Sequence, residues 1–407
     1  MGLRGCGVIV AAFFTVSIAY AIRYGYGMLL PGMLPALGIT KTEAGVIYAC
    51  YFATYTVCSP LLGILSDRID SRLLLTCFSM LLAVGALLMA RATTVVGASA
   101  AFSLAGLGHA ACWAPVMSLV QQWVDDRNRG VALAFTTMGS GIGVAVWSML
   151  LPGIVSRSGW ESGWLYMGLF ALLVALINYM LVRDPPLSAD SGRADRMVLR
   201  RHRGVVSMDS DSAVCLYLLT TLRLWLVGCS YMLIGFTVLV PFTFLGVYIS
   251  GELRLSYATA AGYYTLIALA GIVGKLLLGI LSDRWNRVGV MMICGLLLAI
   301  GCSGIAHFSD LWLKICCTVL LGLGFGAVWP VYAAAAVDFF PKSVSGAVIG
   351  IWTFFLGIGS IVSPIVCGWS VDRSGSYVWA FDFGCGAAIL SAILLIPLFA
   401  KWHIVKI

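Results

Sequence analysis

Four hundred and seven residues, 61% hydrophobic and only 10% charged, lie far outside the composition of soluble globular chains. No water-exposed fold hides that much apolar side chain, so a soluble enzyme, a secreted scaffold and a disordered adaptor are excluded. The net charge of +8 follows from 25 basic against 17 acidic residues and needs no nucleic acid to explain it.

Arg4 precedes the first apolar segment, near 8–30, which runs past Ile22 without a small-residue cleavage site and so reads as a retained span. Five more segments follow near 44–64, 73–90, 95–120, 131–153 and 163–182. After a polar, Arg-rich stretch come six others, near 217–248, 258–281, 288–307, 313–337, 343–367 and 377–399. Each has roughly the 20 residues that cross a ~30 Å hydrocarbon slab at 1.5 Å per residue. They are continuous apolar runs, not short alternations, which predicts helices over barrel strands. The expected fold class is an all-α membrane protein with twelve transmembrane helices. Its expected units are an N-terminal six-helix bundle over 1–183, a cytoplasmic linker over 184–214 and a C-terminal six-helix bundle over 215–407.

With both termini in the cytoplasm, most basic residues fall on the inner side; Lys41, Arg91, Arg157, Arg254, Lys314 and Arg373 fall on the outer. That bias fits a multi-pass protein of the cell (inner) membrane. Most of the 13 cysteines lie inside apolar runs, no CxxC occurs and the count is odd, so they read as small hydrophobes without a metal or a disulfide framework.

Gly63-Ile-Leu-Ser-Asp67-Arg68 recurs letter for letter as Gly279-Ile-Leu-Ser-Asp283-Arg284, 216 positions on. The same offset maps Gly106 onto Gly322, Gly108 onto Gly324, Trp113 onto Trp329, Gly141 and Gly143 onto Gly357 and Gly359, and Arg157-Ser-Gly159 onto Arg373-Ser-Gly375. Six spans separate equivalent positions, so the halves enter the membrane in the same sense, as parallel repeats that can rock against each other.

Over essentially its whole length the sequence resembles the major facilitator superfamily. The resemblance rests on the loop Gly63-Ile-Leu-Ser-Asp67-Arg68-Ile-Asp70-Ser-Arg72 and its second-half copy. It implies a cytoplasmic charge latch of Asp67, Arg68 and Arg72, repeated by Asp283 and Arg284. Trp285 and Asn286 replace Ile69 and Asp70 in the copy, and its second basic residue, Arg287, stands one place early.

Two cations lie deep in spans: Arg23 within Tyr20-Ala-Ile-Arg23-Tyr24-Gly-Tyr26-Gly-Met28, and Lys275 within Gly271-Ile-Val-Gly274-Lys275-Leu-Leu-Leu-Gly279. Each costs about 2.5–3.5 kcal/mol at a helix centre and calls for a reason. Lys275 stands eight residues, about 12 Å, above Asp283. Spanning acids are scarce, with Asp338 and Asp382 near helix ends. An unneutralised cationic cavity implies an anionic guest.

The helix around Lys275, with Trp123, Arg127, Arg129, Gly130 and Ala132, is similar to the monocarboxylate and oxalate/formate branch, which has an Arg where Lys275 stands. That resemblance implies a carboxylate held at Lys275. Lys in place of Arg gives up the bidentate fork, and the helix-one signature of animal monocarboxylate carriers is absent. His109 and Trp113 are expected one turn apart in helix four, and Phe325 and Trp329 occupy the matching positions in helix ten. Gly139, Gly141, Gly143, Gly357 and Gly359 read as close-packing positions.

The expectation is a secondary active transporter of a small organic anion, with Arg23, Lys275, His109, Trp113, Phe325 and Trp329 at the substrate. Protons coupled through His109, or anion exchange, would drive it. It would act as a monomer in the lipid bilayer, with no cofactor and no enzymatic step; no phosphate-binding loop supports primary pumping. The alternatives are a proton-driven exporter of amphiphilic drugs and a non-transporting membrane sensor.

Overall fold

The computed structural model describes residues 3–66, 69–125, 128–184 and 220–405. Its helices are α1 (Leu3–Leu37), α2 (Lys41–Leu65), α3 (Ser71–Met89), α4 (Val95–Ala110), α5 (Ala114–Trp123), α6 (Arg129–Leu181), α7 (Leu222–Val247), α8 (Tyr257–Arg284), α9 (Arg287–His307), α10 (Leu311–Phe339), α11 (Lys342–Ser374) and α12 (Val378–Val405). α4 and α5 form one interrupted pass, and α6 makes two by turning at Gly159, so the described residues make twelve passes. A short π-helical turn, Tyr248–Glu252, extends α7.

The 216-residue offset holds at the level of local chemistry. Thr40 caps α2 and Ser256 caps α8, Asp70 caps α3 and Asn286 caps α9, Thr94 caps α4 and Asp310 caps α10. In each case a side-chain oxygen accepts an otherwise orphaned N–H of the first turn. The turn residues Gly159 and Gly375 both have positive φ, 80° and 74°. Gly38 (φ 62°) matches Arg254 (φ 52°), so the second half holds an ordinary side chain in the left-handed region at a cost of roughly 1–2 kcal/mol. Within each half a glycine lets two backbones meet: a Cβ on Gly106 would strike the Tyr51 carbonyl, and one on Gly322 the Ile267 carbonyl.

Burial sorts the helices. The apolar windows of α1 and α7 are 72% and 83% buried, against 33% in α8 and α12, so α1 and α7 are central. Large apolar side chains such as Leu61, Met149, Leu277 and Ile393 stay exposed, as expected where the surrounding solvent is hydrocarbon. The chain is a multi-pass integral membrane protein.

The halves meet along three helix pairs: α1 with α7, α2 with α11, and α6 with α8. Let the first-loop end be the side carrying residues 38–40, and the second-loop end the side carrying 69 and 70. Toward the first-loop end two of these pairs, α1 with α7 and α2 with α11, are in backbone contact, with Gly27 against the Phe242 carbonyl, Gly45 against that of Pro364 and Gly368 against that of Lys41. Near mid-height Gly141 meets Ile272 and, by the same offset, Gly357 meets Thr56. Neither α4 nor α5 packs extensively on α10 or α11. The halves are therefore closed at the first-loop end and parted toward the other.

Candidate functional site

A cavity of about 230 Å³ lies between the halves. Tyr20 and Tyr24 of α1, Trp113 before α5, Thr137 and Ser140 of α6, Phe242 of α7, Ile272 and Lys275 of α8, Phe325 and Trp329 of α10, and Thr353 of α11 contribute to its wall. Of the six residues expected at the substrate, Lys275, Trp113, Phe325 and Trp329 thus share one space. Arg23 and His109 stand behind it.

Lys275 is aimed by packing. Gly271 and Gly274 hold α8 against α10, where a Cβ on either would meet Phe325 or the Leu323 backbone. The half-buried ammonium crosses to the other half and donates to the Thr137 carbonyl at 3.3 Å, which also accepts from Ser140 Oγ at 2.8 Å. A carbonyl neutralises no charge. Among the described residues no acid pairs with Lys275 or Arg23; the acid–base pairs present are Lys41–Asp372, Arg287–Asp283, Arg287–Asp338 and His307–Asp382.

Arg23 is 3% exposed and sits in an aromatic cage. Its guanidinium carbon lies 4.3 Å from the ring centre of Phe52, 4.9 Å from Tyr55, 5.5 Å from Tyr24 and 5.6 Å from Tyr20. A desolvated cation over such rings gains about 2 kcal/mol or more per good contact. Its Nε has no partner, and neither does the Tyr24 hydroxyl. Tyr20 and Tyr24 therefore form a partition, with one face toward Arg23 and the other toward the cavity.

His109 differs from the expected one-turn pairing with Trp113. α4 ends at Ala110 and α5 begins at Ala114 with Pro115, which has no N–H to continue the ladder. The interruption turns the two rings apart. His109 is fully buried, its Nδ1 is 2.5 Å from the Tyr51 hydroxyl, its ring packs on Tyr20 and Tyr55, and its Nε2 is unpartnered. Trp113 instead packs on Tyr20 from the cavity side at 5.7 Å. In unbroken α10 the matching Phe325 and Trp329 do meet, edge to face at 5.0 Å.

At the second-loop end, Asp67 and Arg68 lie outside the described residues, as does most of the 184–214 stretch. Arg72 places its guanidinium over Tyr179 at 3.8 Å, and Asp70 caps α3 through Leu73 N–H at 3.0 Å. In the second copy Arg287 bonds both Asp283, at 2.8 Å, and Asp338, all within one half, while Arg284 is exposed. The early placement of Arg287 is thus what lets it reach α10.

One contact between the halves had no advance signal. Asp372 at the end of α11 accepts from the backbone N–H groups of Lys41 (3.1 Å) and Thr42 (2.8 Å) and from the Thr42 hydroxyl (2.6 Å), with Lys41 Nζ at 3.9 Å. It fastens the N-terminus of α2 to the opposite half. The offset places Ser156 and Tyr257 at the matching positions, so this fastener has no twin. Among the described residues no cluster of three or more His, Cys, Asp or Glu could hold a metal ion.

The family model described as Major Facilitator Superfamily matches residues 12–288 and 227–403. The chain belongs to this superfamily. Its similarities within it include the D-galactonate transporter of Escherichia coli O6:H1, 25% identical over 97% of this chain and 94% of that protein, and monocarboxylate transporter 12-B of Danio rerio, 25% identical over 86% and 77%. The superfamily fold is matched by the crystal structure of the nucleoside transporter NupG, with a TM-score of 0.79 at 13% identity over 96% of this chain and all of that one.

Proposed function

We propose that this chain is a secondary active transporter of a small, monocarboxylate-like organic anion, working by alternating access of a site between two six-helix bundles, 1–183 and 215–407. The observation that carries the reading is Lys275: a cation in the inter-half cavity, bonded among the described residues only to a carbonyl and not to an acid. A buried charge so poorly compensated stabilises an anion that brings the missing negative charge with it. The printed functions of the relatives, a galactonate and a monocarboxylate transporter, agree with this class.

In this reading Lys275 holds the carboxylate, Trp113, Phe325 and Trp329 shape the cavity, and Arg23 acts through the Tyr20–Tyr24 partition or after it swings aside. His109 is the proton-binding group of an acid–proton symport; anion exchange is the competing mode. Asp67, Arg68, Arg72, Asp283 and Arg284 latch the cytoplasmic gate. The first-loop end faces outward, both termini are cytoplasmic, and the unit is a monomer in the inner membrane.

Purified full-length protein in proteoliposomes, given labelled monocarboxylates with and without a pH gradient, tests the proposal. Saturable counterflow that falls at least about a hundredfold in Lys275→Gln is expected. Counterflow indifferent to that substitution would leave the drug-exporter alternative; binding without counterflow would leave the sensor.

A further inference from the structure

The three helix pairs between the halves are not fastened alike. Toward the first-loop end α1–α7 and α2–α11 are in backbone contact. The third pair, α6–α8, has two hydroxyls there instead: Ser148 Oγ and Thr265 Oγ1 stand 2.6 Å apart across the boundary. Each lies seven residues, about 10 Å, beyond the Gly141–Ile272 contact, so the two helices run antiparallel in constant register. Neither residue lines the cavity.

Buried Ser148 donates to the Ala145 carbonyl of its own helix at 2.8 Å, which leaves its oxygen to accept from Thr265. The Thr265 hydroxyl has one proton and two acceptors within reach: Ser148 Oγ of the opposite half and, at a longer 3.4 Å, the Ala261 carbonyl of its own helix. Parting of α6 from α8 therefore orphans neither group. Thr265 turns its proton back to Ala261, and Ser148 keeps Ala145. A bond with such a fallback is released without the penalty of stripping a buried polar group of its one partner.

The 216-residue offset maps Ser148 onto Pro364 and Thr265 onto Ala49. The twin seam, α2–α11, thus has no hydroxyl at either place and closes with the Pro364 carbonyl on Gly45. One seam is shut by shape, the other by a directional bond with two possible acceptors.

We propose that Ser148 and Thr265 form a releasable clasp, which holds α8 on α6 while the first-loop end is closed and passes the Thr265 proton to Ala261 when that end opens. The clasp rests on the alternating-access reading and gives it two positioning residues that touch no substrate. It carries no charge, so it acts alike at every salt concentration, which the Asp372 fastener does not.

Spin labels on the turns that follow α1 and the π-helical turn read the ratio of open to closed first-loop ends, in full-length protein in nanodiscs without cargo. Each variant is made in the wild type and in Asp372→Asn, whose weakened fastener brings the open state into the measurable range. Thr265→Val keeps the shape and removes the donor. It should raise the open-to-closed ratio roughly two- to fivefold, equally in low and high salt, because the longer fallback bond is lost from the open state as well. Ser148→Ala should act in the same direction, and the double variant should add little to either single change, since both remove one bond. Thr265→Ser should restore the wild-type ratio. A purely structural role would lower the thermal midpoint of these variants and leave the ratio where it was. An unmoved ratio in Thr265→Val, or effects of the two substitutions that add in full, would overturn the clasp, and Lys275-dependent counterflow in the same protein would leave the transport reading standing. If neither wild type nor Asp372→Asn opens at the first-loop end and no acid shows saturable counterflow, the alternating-access reading falls, and the clasp falls with it.

Discussion

Tyr24 of α1 and Phe242 of α7 stack across the boundary between the halves, with ring centroids 3.8 Å apart and planes 27° from parallel. Phe325 meets both rings, at 5.8 and 4.9 Å, so three aromatics roof the cavity toward the first-loop end. One turn beyond, Gly27 lies on the Phe242 carbonyl, and no side chain fits between. The roof is thus both the cavity's upper wall and the seal between the halves.

Replacing Phe242 by Leu keeps apolar bulk and removes the stack. An aromatic pair contributes about 0.5–1.5 kcal/mol beyond its area, so the state closed at the first-loop end should lose roughly two- to thirteenfold in population. Distance distributions between spin labels on the two turns of that end would report it. An unchanged distribution would mean that the backbone contact at Gly27 seals the boundary by itself.

Asp372→Asn should act in the same direction by a different route. The carboxylate collects two N–H groups, a hydroxyl and a nearby ammonium, and complements the positive end of α2. Charge-assisted bonds are about twice as strong as neutral ones, so loss of the charge should cost that closed state about 1 kcal/mol, near fivefold. The effect should shrink in high salt, because Lys41 is partly exposed. A shift of equal size at all ionic strengths would contradict the electrostatic account.

Arg23→Met separates architecture from transport. Replacing a buried charge that has no acid partner by an apolar chain of similar length is often neutral or stabilising. The variant should keep or raise its thermal midpoint in detergent and lose counterflow. A midpoint lower by many degrees with counterflow intact would make Arg23 a structural residue held by its rings.

Lys275→Arg should preserve uptake. The guanidinium adds a fork that can take both carboxylate oxygens, and the expected change is a several-fold tighter half-saturation for the same acid. Equal loss of uptake in the Arg and Gln variants would show that the position demands a point charge of ammonium size.

The twelve passes and their repeat were legible because both rest on one-dimensional signals: apolar length, and a register that repeats Gly63–Arg68 as Gly279–Arg284 and Trp113 as Trp329. Lys275 was legible for a similar reason, since a charge amid glycines in an apolar run stands out. What escaped was set by packing between distant segments. The partition of Tyr20 and Tyr24 in front of Arg23 depends on how α1 leans on α7 and α2. The parting of His109 from Trp113 had a signal in Pro115, which interrupts the helix just beyond them. Asp372 had none, because its partners lie 330 and 331 residues away.

The fastener at Asp372 holds the halves together at the first-loop end and so weights the unloaded cycle toward one orientation. An empty carrier would dwell in the orientation the fastener favours, and its return would be the slow leg of each turn. Under that constraint acid waiting on the far side should speed efflux of acid from the near side, a trans-acceleration in which swapping cargo outpaces net delivery.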